Sequence, residues 1–194
     1  SRGYVPNAVV MHWRNPKFKP RANRPILLLA HYSKNNRIRN DLFMLMDEYV
    51  RHADVIMVSS ASGLRWHQRT LHRLRKRCAG IIIRRNEGYD FGSWKSGLSL
   101  YQNEIKKAEY VILTNDSFWG PINPLDDLFK RIRISAGDVI GLTDNLMYEP
   151  HLSSAFLAFK SKALNSSAFK EFWKQLEIWP RKRDLVKQCE VGLS

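Results

Sequence analysis

The chain has 194 residues, enough for one well-buried domain and few for two. Its 44% hydrophobic and 11% aromatic residues are typical of a globular protein, which excludes a disordered or low-complexity chain. The formal net charge of +14 favours a polyanionic partner, such as nucleic acid, an anionic membrane surface or a phosphate-bearing substrate. A basic face that mainly aids solubility is an equally open interpretation.

The first 25 residues combine four prolines with scattered basic residues, which predicts an irregular basic arm over residues 1–25. Residues 1–40 contain nine Lys and Arg and no Asp or Glu. We expect residues 26–194 to form a single domain and the chain to be part of a longer protein. Two cysteines are too few for a disulfide framework, so we expect a reducing compartment.

Short apolar runs alternate with helical patterns along the rest of the chain. The runs predict six strands, at 26–30, 54–59, 80–83, 110–113, 138–142 and 155–159. Apolar residues at helical spacing predict helices that begin near 40, 64, 92, 123 and 161, of which the second ends at 77 and the last at 176. This order predicts a mostly parallel α/β sheet with helices on both faces.

In such sheets, ligands bind beyond the carboxyl ends of the strands. That rule selects three loops, at 31–37, 84–93 and 114–121. The second contains NEGYDFGSWKSGL, which has neither the glycine spacing of a dinucleotide fingerprint nor the Gly-Lys-Ser/Thr ending of a P-loop. It does offer a glycine for a close turn (Gly88), a carboxylate between aromatics (Asp90) and a helix start near Gly92 that could face an anion. A helix-capping role for Asp90 is the alternative.

The third loop follows the strand YVIL and reads TNDSFWGP. Asp116 leaves a buried strand beside Asn115, where a divalent metal that bridges a diphosphate would need a hard oxygen ligand. Asp and Asn residues after a strand also commonly make a turn, which is the alternative interpretation.

These motifs together carry a resemblance to a known family. The stretch RRNEGYDFGSWKSGL, then YVILTNDSFWGPINPL, then HLSSAFLAFKSKAL and FKEFW, resembles the rhamnan synthesis protein F family of bacterial polysaccharide biosynthesis. It is also similar, more distantly, to the family 2 glycosyltransferases. The resemblance implies a GT-A-like fold over 26–194 and an inverting transfer of a deoxy sugar, L-rhamnose from dTDP-rhamnose, to a growing cell-surface polysaccharide.

The resemblance also implies which residues bind the nucleotide sugar. Residues after the first predicted strand would border the nucleobase. Residues after the third predicted strand would line the nucleotide and place positive charge near its diphosphate. The implied set is His31, Tyr32, Ser33, Arg85, Asn86, Gly88, Asp90, Lys95, Asn115 and Asp116.

Metal and base positions follow from the same resemblance. Asp116 would hold a divalent cation, Mg²⁺ or Mn²⁺, although Thr114 replaces the first Asp of the usual Asp-x-Asp pattern and puts metal dependence in question. Glu190 falls where such enzymes place the carboxylate that deprotonates the acceptor hydroxyl. Asp144 and Glu149 are alternative bases because they lie in the loop before the sixth predicted strand. An inverting transfer needs one such base opposite the leaving diphosphate.

The expected partners are a nucleotide-sugar donor, a lipid-linked glycan acceptor, an anionic membrane surface and other glycosyltransferase domains in the same chain. We expect a cytoplasmic protein, peripheral at the inner face of the bacterial membrane. Nucleic acid is not expected, because no nucleic-acid-binding signature accompanies the positive charge. Two alternatives stay open: a glycosyltransferase-like module without catalysis, and a nucleic-acid-binding domain.

Overall fold

The computed structural model of the protein describes residues 8–117, 124–141 and 156–176. Its strands are β1 (Val9–Arg14), β2 (Ile26–His31), β3 (Asp54–Ser59), β4 (Gly80–Arg84), β5 (Tyr110–Asn115), β6 (Val139–Gly141) and β7 (Phe156–Lys160). Its helices are α1 (Asn40–His52), α2 (Gln68–Arg75), α3 (Tyr89–Leu100), α4 (Gln102–Ile105), α5 (Asp126–Ile134), α6 (Ser161–Asn165) and α7 (Ser167–Gln175), with a 3₁₀ helix at Ser62–Trp66.

The strands form one sheet in the order β1-β4-β3-β2-β5-β7-β6. Its centre, from β4 to β5, is parallel, because these strands are apolar runs buried on both faces. The edges are antiparallel: β1 pairs with β4, and β7 pairs with both β5 and β6. The expected parallel sheet is therefore confirmed in the centre only, as in many α/β sheets with antiparallel edge strands.

Strand β1 corrects the expectation of an irregular arm over residues 1–25. Val9–Arg14 pairs with β4, with Trp13 opposite Ile81. The run VVMHW is rich in β-branched and aromatic residues that suit a half-buried edge strand. Prolines and basic residues on either side of this run are typical of loops, so the surrounding sequence does not predict a strand.

Helices cover both faces of the sheet, as the sequence predicts. Helices α1, α2 and α5 pack on the face that contains Leu27, Met57 and Ile112. Helices α3, α4 and α7 pack on the opposite face, which contains Leu28 and Val58. Burying each aliphatic side chain in these two layers stabilises the fold by about 1.5–3 kcal/mol relative to leaving it exposed.

Four predicted helices differ from the structure in their bounds, and one of them, expected to begin near 92, begins at Tyr89 and is divided into α3 and α4. The helix predicted at 64–77 is the 3₁₀ helix followed by α2, and the one predicted at 161–176 is divided into α6 and α7. The division falls at Ser166, whose Oγ accepts a hydrogen bond from the Phe169 N–H and so caps α7. Helix α5 begins at Asp126, and the predicted cap Asn123 lies outside the described residues.

The strand order predicts a crevice at the carboxyl edge of the sheet. From β2 the chain proceeds to β3 and β4 on one side, whereas β5 pairs with the other side of β2. After β2 and β5 the chain therefore continues to opposite sides of the sheet, and open α/β sheets bind ligands between the loops at such a position. Within the ranges that the structure describes, no helix has the length and apolar character needed to cross a membrane.

Candidate functional site

The carboxylate of Asp116 lies at this crevice, directly after β5. Its Oδ2 accepts a hydrogen bond from the Tyr32 N–H at 3.3 Å and lies 3.9 Å from Nε2 of His31. Burial raises the pKa of Asp116, and the negative charge of Asp90 raises it further, while the Tyr32 N–H opposes both. Loops from β2 and β5 therefore meet at one carboxylate.

His31 ends β2 and is buried beneath this contact. Its Nδ1 lies 2.9 Å from Oγ of Ser59, which ends the neighbouring strand β3. Burial lowers the pKa of His31 to about 4, so the imidazole is neutral near pH 7. The contact with Asp116 is consequently not an ion pair at that pH, and the carboxylate keeps its negative charge available to a ligand.

The start of helix α3 brings a second carboxylate to the site. Gly88 has a φ of 76°, which favours glycine, and turns the chain into α3. Asp90 follows in the first helical turn, and its Oδ2 accepts a hydrogen bond from Nδ2 of Asn115 at 3.0 Å. Oδ1 of Asn115 in turn accepts from the Ser117 N–H. Asn115 thus ties the α3 loop to the loop after β5.

Buried contacts hold these two loops in place. Nε1 of Trp94 donates to the carbonyl oxygen of Thr114 at 2.9 Å, one residue before Asn115. Nη2 of Arg84 donates to the carbonyl oxygen of Glu87, so the end of β4 fixes the turn before α3. A Cβ on Gly92 would lie 2.2 Å from that same carbonyl oxygen, so the close approach requires glycine.

Thr114 cannot act as a metal ligand in this arrangement. It is fully buried in β5, and its side chain forms a hydrogen bond with Tyr49 of α1. The position that would hold the first Asp of an Asp-x-Asp pattern is therefore part of the core.

The remaining predicted residues are spread around this centre. Ser33 accepts a hydrogen bond from the Arg37 N–H, Arg85 is exposed and pairs with Glu87, and Asn86 is exposed. Nζ of Lys95 is buried and donates to the carbonyl oxygen of Leu176 at 2.8 Å.

The structure therefore brings five of the predicted site residues together and places the other described ones around them. The grouped residues are His31, Tyr32, Asp90, Asn115 and Asp116. The predicted bases, Glu190, Asp144 and Glu149, lie outside the described residues.

Two residues of the site are missing from the sequence-based set. Nη2 of Arg39 donates to the carbonyl oxygen of Asp116 at 3.0 Å. The positive charge of Arg39 partly opposes the rise that burial causes in the pKa of Asp116, and it adds to the fall that burial causes in the pKa of His31. Ser59 contacts His31 as described above. Arg39 lies beyond the 31–37 loop, and a basic residue between a predicted strand and the following helix is the signal that could have identified it.

The donor atoms at the site suit a hard divalent cation. Asp90 and Asp116 offer carboxylate oxygens whose charges act on each other. Mg²⁺ typically takes one or two carboxylates and completes its coordination with water and substrate phosphate. The residues present fit such an ion, provided that the substrate supplies the further oxygens.

A second cluster, outside the candidate site, contains three side chains that can bind a metal ion. Among the described residues, Glu48, His52 and Asp126 form the one group of three with ligand atoms within 4.8 Å of one another. Nη1 of Arg51 donates to both carboxylate oxygens of Glu48, and its Nη2 lies 3.7 Å from Asp126. Because Arg51 already supplies a positive charge, the cluster serves as a link between α1 and α5.

The fold and these contacts define an α/β protein with a cluster of two carboxylates at the carboxyl edge of its sheet. The rhamnan synthesis protein F family matches residues 55–193. The chain belongs to this family.

Curated relatives match a similar part of the chain. The uncharacterized protein y4gN of Sinorhizobium fredii is 34% identical over 72% of this chain and 37% of its own length. The virulence protein VirA of Vibrio anguillarum is 31% identical over 65% of this chain and 40% of its own length. The chain spans about two fifths of the length of these relatives.

Among solved structures, the glycosyltransferase GlyE of Streptococcus pneumoniae is similar to 88% of the chain, with 11% identity and a TM-score of 0.46. Its apo form gives the same score at 12% identity. Both comparisons cover 43% of the GlyE chain. Likeness at this level carries no functional argument by itself.

Proposed function

We propose that this chain is the donor-binding part of a glycosyltransferase that builds a bacterial cell-surface polysaccharide. The donor in this proposal is dTDP-rhamnose, and the acceptor is a lipid-linked glycan at the inner face of the membrane. Family membership supports the role in polysaccharide synthesis. The observation that carries the proposal is the contact of Asp116 with the β2 loop at the crevice.

In the proposed reaction, the acceptor hydroxyl attacks the anomeric carbon of the donor sugar. The bond from that carbon to the diphosphate oxygen breaks, and its electron pair leaves with the nucleoside diphosphate. The hydroxyl proton passes to a carboxylate base, for which Glu190 is the candidate and Asp144 the alternative. Inversion at the anomeric carbon follows because the nucleophile arrives opposite the leaving group.

Residues at the crevice have separate roles in this proposal. Asp116 and Asp90 would hold Mg²⁺ or Mn²⁺, which when bound supplies positive charge to the leaving diphosphate. Arg39 fixes the Asp116 backbone and adds a positive charge of its own. His31, neutral and buried, orients the β2 loop through its contact with Ser59.

Calorimetric titration with a panel of nucleotide sugars, each with and without Mn²⁺, tests the proposal. We expect dTDP-rhamnose to bind most tightly, and Asp116→Ala to abolish donor hydrolysis. Donor hydrolysis that Asp116→Ala leaves unchanged would remove the assigned metal position. Donor binding without any hydrolysis or transfer would favour a module that has lost catalysis. Failure of every nucleotide sugar to bind, together with tight salt-sensitive binding of DNA or RNA, would favour a nucleic-acid-binding domain instead.

A further inference from the structure

A basic cavity lies at the opposite, amino edge of the sheet. Its volume is about 580 Å³. Part of its wall comes from residues that directly precede three central parallel strands: Arg24 before β2, Ala53 before β3, and Cys78 and Ala79 before β4. The candidate site described above lies beyond the other ends of these strands, so the two are separate.

The cavity walls contain five cationic side chains and one carboxylate. The cations are Lys17, Lys19, Arg21, Arg24 and Arg77, and the carboxylate belongs to Asp54. Two of these cations are neutralised by carboxylates of the protein itself. Arg24 pairs with Asp54 and donates to carbonyl oxygens at the end of α1, and Arg77 pairs with Asp47.

The other three cations have no comparable partner. Arg21 is exposed and approaches Asp54 only to 3.8 Å, although Arg24 already bonds that carboxylate. In the ranges that the structure describes, no carboxylate lies within ion-pair distance of Lys17 or Lys19. Lys17 and Lys19, with the weakly paired Arg21 beside them, therefore leave positive charge available to an anion from outside the described residues.

Apolar groups form the rest of the cavity wall. Phe18, Val50 and Val55 line it, together with the buried thiol of Cys78. Burial raises the pKa of Cys78 to about 12, so the thiol is neutral and adds no negative charge. A ligand with one anionic group and a compact apolar body would contact the cations and the half-buried side chains of Phe18 and Val50, whereas the side chains of Val55 and Cys78 are fully buried.

We propose that this cavity is a second ligand site, which binds a phosphate monoester carried on an apolar group. Lys17, Lys19 and Arg21 contact the phosphate, and the apolar wall contacts its substituent. Either a soluble phosphate ester or a phosphorylated lipid headgroup has this chemistry. The site also gives a role to the run of basic residues in the first 25 positions, which the proposed function leaves unexplained. The inference does not rest on that function.

Phenyl phosphate is the probe for the soluble form, with calorimetric titration of the 194-residue chain. We expect the double variant Lys17→Gln, Lys19→Gln to weaken binding by about tenfold, since each lysine donates a charge-assisted hydrogen bond. The matched control is Lys170→Gln, Lys174→Gln, which removes the same charge from the exposed face of α7. We expect it to change affinity by no more than about twofold.

Three results would overturn the proposal: no binding of the probe, an equal loss in the control pair, or a loss in Asp116→Ala. The second result would indicate a diffuse positive field, and the third would place the probe at the crevice. Pelleting with phosphatidylcholine vesicles, with and without phosphatidic acid, distinguishes a phosphorylated lipid headgroup from a soluble phosphate ester. Binding that needs phosphatidic acid and the two lysines assigns a lipid headgroup, and probe binding without vesicle binding assigns a soluble ester.

Discussion

The two edges of the central sheet hold their charged groups in different ways. At the carboxyl edge, His31, Asn115 and Asp116 are largely buried and are fixed by hydrogen bonds to backbone and neighbouring side chains. At the amino edge, Lys17 and Lys19 are exposed, and no carboxylate of the described residues lies within ion-pair distance of either. Burial moves pKa values and fixes geometry, which is what chemistry on a substrate needs, whereas exposed charge attracts a ligand and is screened by salt.

The largest difference between the edges should be in stability. Trp94 is fully buried, and its Nε1 donates to the Thr114 carbonyl below the crevice. Trp94→Ala should lower the free energy of unfolding by about 3–5 kcal/mol, through lost burial and a cavity. Lys19→Gln, at the amino edge, should change it by no more than about 0.5 kcal/mol. Urea denaturation measures both, and similar effects of the two changes would contradict the comparison.

A smaller effect should appear in the pH dependence of stability. Burial gives His31 a folded-state pKa of about 4, against 6.5 for an ordinary histidine. Between these values the unfolded chain binds more protons at this residue than the folded one. Stability from His31 is therefore present above pH 6.5 and is lost as pH falls towards 4, by about 3 kcal/mol in total.

The control for this prediction is His31→Gln, which cannot titrate. The difference in unfolding free energy between wild type and variant should narrow as pH falls from 6.5 to 4. Asp116 titrates in both proteins with a raised pKa, so its opposing contribution largely cancels in the difference. A difference that stays constant over this range would show that His31 titrates alike in the folded and unfolded chains.

Much of the fold follows from the sequence, because the buried parallel strands are continuous apolar runs. ILLLA, DVIMVS, GIII and YVIL predict β2 to β5 almost to the residue. Strand β1 is missed because its apolar run is short and lies among prolines and basic residues, which are typical of loops. The antiparallel edges are missed because pairing direction depends on contacts between distant segments, which periodicity does not report.

The candidate site follows from the sequence only in part. The rule about strand ends selects the loops that contain His31, Asp90 and Asp116, and the structure brings these loops together, since chain order alone decides which loops leave that edge. Contacts of long side chains are not predictable in the same way. Arg39 reaches Asp116 from the start of α1, and Lys95 bonds Leu176 rather than standing free in a loop.

Titration of dTDP in the presence of Mn²⁺ tests the central claim most directly, with the wild type, Asp116→Asn and the double variant Lys17→Gln, Lys19→Gln. We expect Asp116→Asn to weaken dTDP binding by about tenfold or more, because the variant loses a metal-coordinating carboxylate. The lysine variant, at the other edge, should bind dTDP within about twofold of the wild type. Unchanged affinity in Asp116→Asn, with a large loss in the lysine variant, would place the nucleotide at the amino edge and contradict the account.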